Sequence, residues 1–143
     1  MPASALRPIR SAPTGIGQGR IGTLEKPKER REIFRRIKRE LGIQHLLIAG
    51  PKTGRMSKAA CCAGACGELL KDALAQGAEL YLTGEMRHHD ALRAAEAGMT
   101  VVCTLHSNSE RAVLKRLAGK LKGRLPKLAV YVSKLDVDPF SIA

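Results

Sequence analysis

Tyr81-Leu-Thr-Gly-Glu-Met-Arg-His-His-Asp90, an alanine-rich stretch to Gly98, then Met99-Thr-Val-Val-Cys-Thr104 and Leu105-His106-Ser-Asn-Ser-Glu110 form the part of this chain that decides its fold. Two short runs rich in apolar and β-branched residues, Glu79–Thr83 and Met99–Thr104, read as strands. Each leads into a helical pattern: His88 to Ala97, stopped by Gly98, and Ser107 to about Lys122. Strands alternating with helices predict an α/β fold, with a mostly parallel or mixed sheet covered by helices on both faces. Such sheets place ligands and chemistry at the carboxyl ends of their strands. Three of the four histidines, His88, His89 and His106, fall at the ends of these elements.

Outward from this stretch the same punctuation continues. Pro27 opens a predicted helix whose apolar residues Ile33, Phe34, Ile37 and Leu41 share one face, and Gly42 ends it. Ile43–Ala49 reads as a strand, residues 50–54 as a turn, and Lys58–Cys62 as the next strand, with no helix between. Gly67–Gln76 is a helix stopped by Gly77, and Leu128–Ser133 reads as the last strand. Residues 1–24, rich in Pro and Gly without periodicity, read as an extended arm, leaving 25–143 as a single α/β domain.

The chain has 143 residues, enough for one domain with a real core, and that core must be aliphatic because there are only two Phe, two Tyr and no Trp. No run approaches the ~18 apolar residues of a membrane span, and the N-terminus lacks the apolar stretch of a secretory signal, so a cytoplasmic, non-membrane protein is expected. The net charge of +12 is concentrated in Lys26–Arg39 and Lys115–Lys127. Both blocks read as solvated helix faces, and either could attract nucleic acid electrostatically. The adjacent Cys61 and Cys62 would point to opposite faces of a strand, so reduced thiols are expected for all four cysteines.

Two glycine patterns are set aside. Gly15-Ile-Gly17-Gln-Gly19 lacks the strand and helix of a dinucleotide fingerprint, and Gly50-Pro-Lys-Thr-Gly54-Arg55 has the wrong spacing for a phosphate loop. Cys62-Ala-Gly-Ala-Cys66-Gly67 reads as a crowded turn needing small side chains, although Cys66 near a helix start could also be reactive. His88 and His89 point about 100° apart on a helix and cannot both aim at one atom. For His106 and Glu110 two readings compete. As ligands, an imidazole and a carboxylate one helical turn apart suit a divalent cation. As structure, Ser107-Asn-Ser-Glu110 matches a capping box.

Four segments taken in order resemble the Nif-three-like family, also known as GTP cyclohydrolase 1 type 2 homologues. They are Gly17-Gln-Gly19-Arg20-Ile-Gly22, the Ala-Cys-Cys-Ala-Gly-Ala-Cys-Gly turn, Ala78 through Leu92, and His106-Ser-Asn-Ser-Glu110. The resemblance implies a toroidal homo-oligomer and a two-metal centre, holding zinc, manganese or iron, that faces an internal cavity. It maps metal ligands onto His106 and Glu110, and cavity residues onto Glu85, His89 and Asp90. Glu85 or His89 would move protons, and Asp90 would contact substrate. The implied chemistry is metal-dependent hydrolysis, with activated water attacking an electrophilic carbon or phosphorus.

The chain resembles only the C-terminal half of such proteins. The remaining ligands, a His-rich motif and an Asp, belong to the other half, so a partner chain or another subunit would have to supply them. The alternative reading is a basic, non-catalytic module that binds nucleic acid or a protein partner through its two cationic helices.

Overall fold

A computed structural model describes residues 6–13 and 16–140. A small hairpin, β1 (Arg10–Ser11) and β2 (Gly17–Gln18), precedes β3 (Arg20–Glu29), α1 (Arg30–Leu41), β4 (Leu47–Ala49) and β5 (Arg55–Ala65). A single 3-10 turn at Gly67–Leu69 leads into α2 (Leu70–Ala75). Then come β6 (Leu80–Glu85), α3 (His88–Glu96), β7 (Thr100–Cys103) and α4 (His106–Arg124).

The sheet is mixed, in the order β3-β5-β6-β7-β4. Its centre, β5-β6-β7, is parallel, and both outer strands run antiparallel to their neighbours. Side chains along the central strands alternate between two cores. Tyr81, Val101 and Cys103 join Leu69, Leu70, Ala73, Ala94 and Met99 on one face. Leu80 and Val102 meet Met56 and Phe34 of α1 on the other. Both faces are therefore covered, which is why β6 and β7 are nearly continuous in apolar residues and Thr. No helix among the described residues is long and apolar enough to cross a membrane.

The structure departs from the sequence expectations at several places. Within the expected N-terminal arm, Ile9 and Ile21 are buried, and residues from Arg20 onward form the edge strand β3, paired with β5 from Arg20↔Cys61 to Glu29↔Arg55. Pro27 does not open the helix. It lies where the β3–β5 register shifts between Thr23 and Lys28, a bulge on an edge strand that needs no N–H from proline. The helix starts three residues later because Lys28 and Glu29 still pair with β5, while the Arg30 N–H donates to Gly54 O at 3.0 Å. The Arg30 side chain is buried and donates to Thr100 Oγ1 at 2.8 Å and to the carbonyls of Thr53 and Arg55 at 3.3 and 3.2 Å.

The strand expected over Ile43–Ala49 shortens to β4. No strand forms over Leu128–Ser133: Tyr131 is 91% exposed there, and the segment has no sheet neighbour to satisfy its backbone. Of the rejected fingerprint, Gly15 lies outside the described residues, and Gly17 belongs to the small hairpin. Reduced cysteines were expected throughout, yet Cys62 and Cys66 form a disulfide, while Cys61 and Cys103 are free. The reason is local. Gly64 takes a left-handed conformation (φ 75°), turning the chain back so that the two Cα atoms stand 6.1 Å apart, within bonding range.

The basic residues of α1 (Arg31, Arg35, Arg36, Lys38, Arg39) are exposed, while Phe34 is buried. Helix α4 and the segment after it also leave large apolar side chains in solvent, among them Leu114, Leu117, Leu128, Leu135 and Phe140.

Candidate metal and substrate site

Because β5, β6 and β7 are parallel, their carboxyl ends meet along one edge of the sheet. The β5 end contributes Gly64, the β6 end Glu85, and the residues after β7 contribute His106. Thr104 continues the β7 direction, its N–H donating to Thr83 O at 3.1 Å. Leu105 then has φ 69°, the one positive φ at a non-glycine among the described residues. A branched side chain held in that region costs roughly 1–3 kcal/mol, and such outliers gather at functional sites. Here the turn reverses the chain sharply enough for α4 to begin at His106.

His106 stands between two carboxylates. Its Nδ1 is 3.4 Å from Glu85 Oε2, and its Nε2 is 3.5 Å from Glu110 Oε1. All three side chains are about half exposed. Of the two readings of this segment, the capping box at Ser107 does not form. The helix starts one residue earlier, the Ser107 hydroxyl donates to Asp138, and Glu110 turns to His106 rather than to the backbone.

Two glycines let the three chain segments converge. A Cβ at Gly84 would lie 2.7 Å from both Gly64 O and Ser109 Oγ, and 3.0 Å from His106 Cα. A Cβ at Gly64 would lie 3.1 Å from Glu110 Oε1 and 3.4 Å from His106 Nε2, so its absence keeps the space before that pair open. Ser109 fixes the arrangement, accepting from the Gly64 N–H at 2.8 Å and donating to His106 O at 2.6 Å. Thr83 Oγ1 donates to Gly64 O at 3.0 Å.

Nitrogen and oxygen ligands bound tetrahedrally at ~2.0–2.1 Å stand roughly 3.4 Å apart. The 3.5 Å separation of Nε2 and Oε1 therefore matches two ligands of one ion. Glu85, on the opposite ring nitrogen, occupies the place of a carboxylate that orients a metal-bound imidazole. Two ligands do not complete a centre, and no group of three or more His, Cys, Asp or Glu among the described residues could hold an ion. The pair fits as half of a site.

Beside this pair lies a cavity of about 590 Å³, lined by Glu68, Lys71, Glu85, Arg87, Asp90 and Arg93 with Met86, Ala65 and Gly67. Glu85 belongs to both the cavity and the histidine cluster. Asp90 faces the cavity and lies 3.6 Å from Arg93. A Cβ at Gly67 would fall 2.9 Å from Asp90 Oδ2, so the chain approaches that carboxylate closely. His89 is not brought to the site: it is exposed on α3, its ring edge-on to His88 with centroids 5.8 Å apart. Sequence reasoning missed Gly64, Gly84 and Ser109. Their only signals were the small-residue turn and the Thr83-Gly84 strand end.

The segment after α4 returns to this end of the molecule. Arg111 donates to Asp136 at 2.8 and 3.1 Å, and Ser107 donates to Asp138. Hydrogen bonding from Arg111 and from Ser107 holds the carboxyls of Asp136 and Asp138, respectively, below the ordinary aspartate value.

Comparison with known proteins agrees with this architecture. The "NIF3-like protein 1" of Rattus norvegicus is 39% identical over 132 residues, covering 88% of this chain and 34% of its own length. The "GTP cyclohydrolase 1 type 2 homolog" of Clostridium perfringens is 34% identical over 125 residues, 87% of this chain and 48% of its own. Among solved structures, a Bacillus cereus protein related to NIF3 superposes with a TM-score of 0.74 at 25% identity, over 89% of this chain and 36% of that one. Reduced HcgD from Methanocaldococcus jannaschii gives 0.66 at 26% identity, over 84% and 46%. The chain thus spans between a third and a half of the curated relatives it matches. The family described as Duf34/NIF3 (NGG1p interacting factor 3) matches residues 4–139, nearly all of the chain, and the chain belongs to that family.

Proposed function

We propose that this domain contributes half of a divalent-metal centre and the adjoining substrate cavity of a metal-dependent hydrolase. The observation that carries the reading is the 3.5 Å approach of His106 Nε2 to Glu110 Oε1 across a space kept open by Gly64. His106 and Glu110 would hold zinc, manganese or iron, and a second ion would depend on ligands from outside residues 1–143. A bound divalent cation supplies Lewis acidity and lowers the pKa of water near it.

The chain's own residues divide the remaining work. Glu85 Oε2, 3.4 Å from His106 Nδ1, favours a proton on that nitrogen and so the tautomer that leaves Nε2 free. It also faces the cavity, where it can take a proton from a reacting group. Asp90, held by Arg93, fixes a donor group of the substrate, while Lys71 and Arg87 favour a substrate that carries negative charge. His89 has no part in this scheme.

The missing ligands are supplied by the complementary half, either elsewhere in a longer chain or in another subunit of a homo-oligomer or split heteromer. The exposed apolar side chains of α4 and of residues 125–140 provide the surface to be covered. The test is calorimetric titration of the assembled protein with Zn²⁺. His106→Ala and Glu110→Gln should each weaken binding at least about tenfold. Unchanged affinity in both variants would remove the reading.

A further inference from the structure

The disulfide lies in the wall of the candidate site, and only three residues separate its two cysteines. All three belong to the turn that carries Gly64. The Gly64 N–H is bonded to Ser109, its carbonyl is bonded to Thr83, and its Cα faces the His106–Glu110 pair. At the far end of the turn, Tyr81 OH donates to Cys66 O at 2.8 Å from the buried core. A cross-link closing so short a loop constrains little of the chain, and what it constrains is this wall. The other thiols are placed differently. Cys103 is buried, and Cys61 is exposed on the opposite side of β5 from Cys62.

We propose that Cys62 and Cys66 form a reversible dithiol–disulfide couple whose state sets the position of the Gly64 turn against His106 and Glu110. The site is a modification site for thiol–disulfide exchange with a small disulfide such as oxidised glutathione. One cysteine thiolate attacks the glutathione disulfide, releasing one glutathione thiolate and leaving a mixed disulfide. The second cysteine then attacks the protein sulfur of that bond, forming the Cys62–Cys66 bond and releasing the second glutathione. Two electrons pass from the protein to glutathione, and the two thiol protons end on the two glutathiones released. Reduction runs the same steps backwards. In the oxidised state the turn is latched as described here, and in the reduced state the Cα atoms of Cys62 and Cys66 are free to separate.

The consequence for metal binding rests on the reading of His106 and Glu110 as ligands; the couple itself does not. The experiment therefore needs no metal. The protein is equilibrated at graded ratios of reduced to oxidised glutathione, its thiols are alkylated, and the modified peptides are mapped by mass spectrometry. In parallel, the Gly64 amide and the His106 imidazole are followed by NMR. The expected result is that Cys62 and Cys66 lose alkylation together as the buffer becomes oxidising, and that Gly64 amide exchange accelerates at least about tenfold on reduction. The Cys62→Ser/Cys66→Ser double variant should match the reduced protein at every ratio. Thiols at 62 and 66 that stay alkylatable throughout would overturn the proposal, as would Gly64 and His106 signals identical in both states. Either failure leaves zinc titration of His106 and Glu110 unaffected.

Discussion

Gly64 and Glu110 come from elements far apart in sequence, yet a Cβ added to Gly64 would stand 3.1 Å from Glu110 Oε1. The end of a central strand and the second turn of α4 are thus fitted together around the absence of one methyl group. Gly64 also has φ 75°, a conformation that L side chains rarely adopt. Gly64→Ala should cost roughly 1–2 kcal/mol of stability from the backbone alone and should displace Glu110. Denaturant unfolding of the variant, with NMR of the His106 ring, checks both outcomes. A variant as stable as the parent with an unshifted ring would count against the packing described.

Glu85→Gln keeps the size of the side chain and removes its charge. Glu85 is about half exposed, so the fold should lose no more than about 0.5 kcal/mol. If the carboxylate orients His106, metal affinity should nevertheless fall by roughly tenfold or more. Thermal melting and zinc titration of the same sample separate the two effects.

Acid should release the returning tail. Asp136 and Asp138 both have depressed pKa values, caused first by their hydrogen bonds from Arg111 and Ser107. The tether is therefore fully formed above the ordinary aspartate range and is lost as pH falls below it, through the lowered folded-state values. Backbone relaxation of residues 133–140 should stay constant from neutrality to about pH 5 and rise in stronger acid. The same increase is expected at neutral pH in Ser107→Ala combined with Arg111→Ala.

Tyr81 is buried, and burial pushes its hydroxyl pKa well above the usual phenolic value while the group donates to Cys66 O. Tyr81→Phe leaves that carbonyl without this donor and should cost about 0.5–1.5 kcal/mol. Urea denaturation measures it directly, and an unchanged midpoint would show that the bond contributes nothing.

The parts of the fold that were legible in sequence share a physical cause. Helix α3 and strands β6 and β7 carry local patterns that agree with their packing, and Gly42, Gly77 and Gly98 stop elements by adopting positive φ, as expected of C-terminal glycines. Strand β3 was hidden because the basic run after Lys26, headed by a proline, imitates a helix start. Its pairing with β5 comes from residues distant in sequence, from Arg20↔Cys61 to Glu29↔Arg55, and overrides that local signal. The Leu128–Ser133 segment shows the reverse, a strand-like composition with no neighbour to pair with.

At the site, the one-turn spacing of His106 and Glu110 was readable, but the choice between ligand pair and capping box was not. That choice depends on Asp138 occupying Ser107 and on the positive φ of Leu105, both invisible to spacing. The resemblance points to Glu85 as a site residue, but its contact with the second nitrogen of His106 joins two strand ends and appears only in three dimensions. The Cys62–Cys66 pairing was missed for a similar reason. Strand alternation governs neighbours, whereas the left-handed turn at Gly64 governs residues four apart.

The most direct test of the metal reading is to follow the ring nitrogens of all four histidines by NMR while Zn²⁺ is added to the assembled protein. The account predicts that His106 Nε2 responds first, and that this response disappears in Glu110→Gln, while Nδ1, on the side of Glu85, stays unperturbed. Zinc that perturbs His45, His88 or His89 while leaving His106 unmoved would contradict it.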